Sequence, residues 1–139
     1  MLPTLSSALL ALIAAAPALA ADLAVTITNA RNADGTMLIA VCDEPNFLDG
    51  ACVKTMKVKA QTAPLRVVIP GMPPGRWAVQ VIHDENDNVD FDRNFLGIPT
   101  EGYGFSNNPR GTFGPPDFDD AAVTMEGRPL DLTVELLYW

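Results

Sequence analysis

His83, the only histidine in the chain, heads the stretch HDENDNVDFD, which runs to Asp92 with five acids and two asparagines. Asp84, Asn86 and Asn88 match the D-x-[DN]-x-[DN] opening of a calcium loop, with Asp90 and Asp92 at its seventh and ninth positions. Hard oxygen donors at alternate positions suit Ca²⁺, which takes about six to eight oxygens. The spacing nominates Asp84, Asn86, Asn88, Asp90 and Asp92 as metal ligands, with calcium as the cofactor. Two positions depart from the pattern. Val89 stands sixth, where glycine makes the sharp turn, and Phe95 stands twelfth, where a bidentate glutamate would sit. A missing ligand must then come from elsewhere, and Asp117, Asp119 and Asp120 are the candidates because they close the same region. Without a cation, the same residues read as a solvated acidic loop whose asparagines stabilise turns.

The stretch also holds the ingredients of catalysis. His83 beside Asp84 and Asp87 has the composition of a base with its orienting carboxylate, with Ser106 or Thr112 as nucleophile. Asp92 and Asp119 could serve as a glycosidase pair. A metal-dependent or hydrolase-like enzyme using His83 and the neighbouring acids is therefore one alternative. No G-x-S-x-G elbow occurs, so the favoured reading is non-catalytic and assigns no catalytic residue. A transition-metal site would need more His or Cys, and strand parity turns several of Met37, Met56, Met72 and Met125 toward a core rather than copper. A further alternative rests on EGYGFSNNPRGTFGPP, where Tyr103, Phe105 and Phe113 amid glycines, with Asn107, Asn108, Arg110 and His83, suit a carbohydrate- or peptide-binding module. The partner would then be a small ligand, a glycan or a protein. The opposing reading turns these aromatics inward, as anchors for a glycine-rich loop.

Elements of period two must position these residues. LAVTITN sets Leu23, Val25 and Ile27 against Ala24, Thr26 and Thr28, a half-buried strand. TMLIAVC is apolar on both faces, as in a central strand, and ADG at 33–35 reads as a hairpin turn between these two runs. VKTMKVK, PLRVVIP, RWAVQVIH, AAVTME and LDLTVELLYW complete the set. In RWAVQVIH, Trp77, Val79, Val81 and His83 share a face, so His83 is expected at the core side of a strand end. The pattern predicts an all-β, antiparallel, seven-stranded β-sandwich, immunoglobulin- or transthyretin-like by analogy. One long loop, 84–121, lies between the fifth and sixth strands. Its aromatics argue for order. The final LTVELLYW has the look of an outer-membrane barrel strand, but the other strands are too short to span, and a sandwich strand is favoured.

Residues 1–21 read as a signal peptide cleaved near Ala20 or Ala21, although no Lys or Arg marks its start. That leaves 22–139 as one domain, periplasmic or secreted, with no membrane span after signal removal. The formal net charge of −8 argues against nucleic acid and anionic membrane surfaces as partners. Cys42 and Cys52, the only cysteines, are expected to form a disulfide in an oxidising compartment, worth roughly 2–3 kcal/mol for so short a loop.

The most specific segments are NFLGIPTEGYGFSNN and FGPPDFDDA, inside HDENDNVDFDRNFLGIPTEGYGFSNNPRGTFGPPDFDDAA. On them the chain resembles a bacterial exported family, domain of unknown function 2141, from its first strand through its last. The resemblance implies an exported β-sandwich and carries no established activity. Val89 departs from it, since such sequences typically hold glycine there.

Overall fold

The computed structural model describes residues 19–49, 51–110 and 114–139. Most of the expected signal segment, residues 1–18, lies outside this range, as do Thr112 and Phe113. The chain is all-β, with eight strands among the described residues: β1 (Ala21–Thr28), β2 (Thr36–Cys42), β3 (Lys54–Lys59), β4 (Leu65–Met72), β5 (Gly75–Asp84), β6 (Gly102–Phe105), β7 (Ala122–Met125) and β8 (Leu130–Glu135). A short helix, α1 (Phe118–Ala121), precedes β7. One sheet has the order β4-β1-β8; the other runs β3-β2-β5-β6, with β7 also on β5. No helix among the described residues is long and apolar enough to cross a membrane.

The alternation seen in the sequence is the alternation that is buried. Leu23, Val25 and Ile27 of β1 meet Met37, Ile39 and Val41 of β2 and Val79 and Val81 of β5 in one core shared by both sheets. Each such side chain stabilises the fold by roughly 1.5–3 kcal/mol when fully buried. Met37, Met72 and Met125 are core residues, and Met56 packs against them. The lysines of β3, an edge strand, include the exposed Lys57 and Lys59, which discourage pairing with another chain.

Four expectations are corrected. Among the described residues the strands number eight, because β6 forms inside the expected 84–121 loop and pairs with β5, Tyr103 opposite Ile82. Its sequence, GYGF, hides a strand behind two glycines, and both are required by packing. A Cβ on Gly104 would meet Val134 Cγ1 at 2.7 Å and the Glu135 carbonyl oxygen at 2.8 Å, and one on Gly102 would strike the Tyr138 ring. The same loop holds α1, a single helical turn too short to leave a period. The set is not wholly antiparallel: β8 runs parallel to β1, Leu23 opposite Leu130 and Ile27 opposite Val134. Alternation fixes a strand's inward face and leaves its direction open. Finally, β1 and β2 do not form a hairpin. Residues 29–35 cross from one sheet to the other, bent by left-handed conformations at Asn29 (φ 67°) and Gly35 (φ 67°).

Candidate functional site

β5 delivers His83 to the core face, where it is fully buried between the sheets. Its Nε2 lies 2.7 Å from the Asp34 carbonyl oxygen and its Nδ1 2.8 Å from the Tyr138 hydroxyl. A carbonyl only accepts, so Nε2 carries the proton and Nδ1 accepts from the phenol. Burial pushes the Tyr138 phenol up, which suits this donor role. Both ring nitrogens are thus committed, and no solvent reaches them. Ser106 is equally enclosed: its Oγ accepts from the Val79 N–H at 2.9 Å and donates to the Ala121 carbonyl.

The next residue, Asp84, opens the acidic loop and is itself buried. Its Oδ1 accepts from the Asn88 N–H at 3.2 Å and its Oδ2 from the Val89 N–H at 2.8 Å. To reach that bond, the backbone of Val89 takes φ 67°, the left-handed conformation that the sixth position of a calcium loop requires. Asn86 and Asn88 both aim their Nδ2 groups at Asp92, at 2.8–2.9 Å. These donors, Asn88 before Asn86, hold the Asp92 carboxyl below the ordinary range. Asp90 contributes its N–H to Asn88 Oδ1 at 3.0 Å, and its side chain points outward in an exposed position.

Glu101, absent from the ligand set drawn from the sequence, completes this cluster. It is buried beneath the loop, with Oε1 accepting from the Glu85 N–H and Oε2 from the Asp92 N–H, both at 3.2 Å. Burial pushes its carboxyl up, and the charges of Asp92 and Asp84 push the same way against those two N–H bonds. Outside the cluster, Arg31 pairs with Glu85 at 2.6 Å and lies over the Tyr138 ring at 4.6 Å. The DFDD acids do not join it. Asp119 pairs with Arg76 at 2.8 Å, at the opposite end of β5 from Asp84, roughly 26 Å of strand away. Among the described residues, no group of three or more His, Cys, Asp or Glu side chains is placed to hold a metal ion. The oxygens instead serve backbone N–H groups and the amides serve Asp92.

The aromatics of the long segment form a ladder. Phe91, Tyr103, Phe105, Phe47 and Phe118 meet successively edge to face, with ring centroids 5.7–6.2 Å apart. Phe118 and Phe47 cover one end of the outer face of the five-stranded sheet, with Ala78 and Ala121. Toward the other end the ladder is open and floors two adjoining grooves. A groove of about 580 Å³ lies between Tyr103, Phe105 and the 91–99 segment, with Gln80 and Ile82 of β5 at its base. A second, of about 800 Å³, is lined by Tyr103, Phe105, Asn108, Arg110, Asp120 and Glu135. Trp139 borders both and donates from Nε1 to the Tyr103 hydroxyl at 3.1 Å.

The residues proposed for ligand contact therefore divide. Tyr103, Phe105, Asn108 and Arg110 line a groove. Asn107 instead donates to the Asp120 and Ala122 carbonyls, and Asn108 also clasps β8 through the Glu135 N–H and the Thr133 carbonyl. Arg110 pairs with Glu135 at 2.9 Å. Sequence reasoning passed over Phe91, Arg93, Leu96, Ile98 and Trp139. The one available signal was the density of exposed-type apolar residues in a segment too polar to be a strand. Cys42 and Cys52 form the expected disulfide, and Gln80 Nε2 rests against Cys42 Sγ at 2.9 Å. Among curated proteins and among solved structures, none matches this chain. Residues 25–133 match the family model described as an uncharacterized protein conserved in bacteria (DUF2141), and the chain belongs to that family.

Proposed function

We propose that this protein is a non-catalytic, exported binding module, a β-sandwich of the immunoglobulin or transthyretin type that holds a ligand in the smaller groove. The observation that carries this reading is the groove itself. Phe91, Tyr103, Phe105 and Trp139 are gathered from three separate parts of the chain around about 580 Å³ of open volume, within the roughly 300–1,000 Å³ usual for ligand sites. Export is supported by the Cys42–Cys52 disulfide, which persists in oxidising compartments. The hydrolase-like alternative is disfavoured by the enclosure of His83 and Ser106, each buried with its polar atoms engaged. The test is amide chemical-shift mapping of the folded protein against a panel of neutral, anionic, cationic and saccharide fragments. Perturbations must gather on Phe91, Tyr103, Phe105 and Trp139; a panel that moves none of them sinks the reading.

Calcium at the base of the loop is a second reading, favoured by the crowding of Asp84, Asp92 and the buried Glu101. Burial raises the Glu101 carboxyl, the charges of Asp92 and Asp84 add to that rise, and a divalent cation would offset the part that comes from charge. The donor types, carboxylates and amide oxygens, suit a hard cation. Asp84, Asn86, Asn88, Asp92 and Glu101 would hold it only after rearrangement, since no three acids among the described residues are placed for an ion as they stand and the Asp84 and Glu101 oxygens accept backbone N–H groups. A site confined to the folded state adds RT ln(1 + [L]/Kd), about 2.7 kcal/mol at a hundredfold excess over Kd. Millimolar calcium should therefore raise the thermal midpoint, and the double variant Asp84→Ala, Asn86→Ala should lose that rise. No rise, or an equal rise in the variant, removes calcium from the account.

A further inference from the structure

The groove has a chemistry that its volume alone does not convey. Among the described residues that line it there is no Asp, Glu or Lys, although the whole chain carries a formal charge of −8. Arg93 is its one charged side chain. The guanidinium is fixed at the rim: it stacks over the Phe91 ring at 4.9 Å, and Nη1 donates to the Gly97 carbonyl at 3.1 Å. An Arg offers five N–H donors, so most of this fork remains free for a ligand. Other polar side chains in the lining are few and partly engaged. The Tyr103 hydroxyl accepts from Trp139, and the Gln80 amide faces the disulfide. Leu48, Leu96, Ile98 and Trp139, by contrast, are large apolar side chains left exposed around the same opening. Contiguous exposed apolar surface of this kind marks a binding site.

A glycan would find few hydrogen-bonding side chains here, and rings packed edge to face on one another rather than stacked in one plane. A cationic ligand would meet Arg93 with no acidic side chain among the described lining residues to offset it. The surface fits an apolar chain ending in one anionic group. We propose that the groove binds a free acyl carboxylate of medium chain length, its methylenes along Phe91, Tyr103 and Trp139 and its carboxylate on Arg93. This rests on the groove being the binding site, and adds the ligand class. The 91–99 segment forms the wall against which the chain lies, and Arg93 sets the end at which the head group stops.

The experiment is isothermal titration of the folded protein with octanoate, decanoate, decanol and decyltrimethylammonium, all below micelle formation. Decanoate should bind at one site and more tightly than octanoate, since each buried methylene tightens binding by up to about fourfold. Arg93→Gln should weaken decanoate about tenfold and leave decanol unchanged, with Arg93→Lys recovering part of the loss. Phe91→Ala and Trp139→Ala should weaken both ligands. If decyltrimethylammonium binds as tightly as decanoate, or Arg93→Gln leaves decanoate unaffected, the anionic class is wrong while the groove survives. If no amphiphile binds, or the two aromatic variants change nothing in correctly folded protein, the groove reading falls as well.

Discussion

Val89→Gly should make this protein more stable, an unusual outcome for removing an apolar side chain. Val89 is held at φ 67°, where a side chain with a branched Cβ crowds its own backbone. That conformation costs an L-residue roughly 1–2 kcal/mol, and a β-branched one sits at the upper end. Asp84 Oδ2, accepting the Val89 N–H at 2.8 Å from a buried position, is what holds it there. Little packing is lost on substitution, because the side chain is 57% exposed. Glycine enlarges the unfolded ensemble, which takes back roughly 0.5–1 kcal/mol. The net expectation is a gain of about 1 kcal/mol, or about 3–5 °C in Tm for a domain of this size. Urea and thermal unfolding of wild type, Val89→Gly and Val89→Ala measure it. Alanine keeps a Cβ at positive φ, so it should gain much less than glycine. If glycine destabilises the protein, or alanine matches it, the left-handed turn imposed by Asp84 is not the source of strain.

Gly104→Ala should cost about 1–3 kcal/mol, because its Cβ would meet Val134 and the Glu135 carbonyl where β8 passes over β6; urea unfolding reads the loss, and no loss means that the two segments separate freely. The Arg31–Glu85 pair should show a pH signature. Burial opposes ionisation of Glu85, yet Arg31 and then Asn32 bring its carboxyl below the ordinary range. A carboxyl depressed in the folded state stabilises above its unfolded pKa, and that contribution is lost as pH falls through the folded value. The stability difference between wild type and Glu85→Gln should be present at neutral pH, stay below about 1 kcal/mol for so exposed a pair, and vanish in acid. A difference that grows on acidification contradicts the assignment.

The strands were legible because each buries one face against a shared core. Leu23, Val25 and Ile27 announce an inward side whatever they pair with. Pairing was not legible, because partners are chosen across the whole chain: nothing in ADG at 33–35 distinguishes a hairpin from a crossing between sheets. β6 was lost for a related reason. Gly102 and Gly104 look like turn residues, and their meaning depends on Tyr138 and Val134, some thirty residues away, lying against them. The acidic cluster could be read from Asp84 to Asp92 since its logic is local. Glu101 could not, because it reaches back nine and sixteen residues to the N–H groups of Asp92 and Glu85, outside any local pattern. The groove draws on β5, β6, the 91–99 segment and the last residue of the chain, so no single window of sequence contains it.

The acids and the groove are two halves of one construction. A segment that leaves a sheet loses the partners of its backbone N–H groups, and each such group that is shielded from water needs a replacement. Here the replacements are side chains placed at short intervals. Asp84 takes the N–H groups of Asn88 and Val89, Asn88 takes that of Asp90, and Glu101 takes those of Glu85 and Asp92. Beyond them Asn94 Oδ1 takes Leu96 and Ile98, while Arg93 and Pro99 bridge across the tip. With the backbone satisfied from below, the residues between these anchors need not turn inward, and Phe91, Arg93, Leu96 and Ile98 are free to form a wall. The charge that first suggests a metal site thus has a structural use that requires no ion: it holds in place an apolar surface that the sheet alone would not present. Calcium, if it binds, would stiffen the same base, and its effect should be felt at the groove through the position of Phe91, one residue before Asp92.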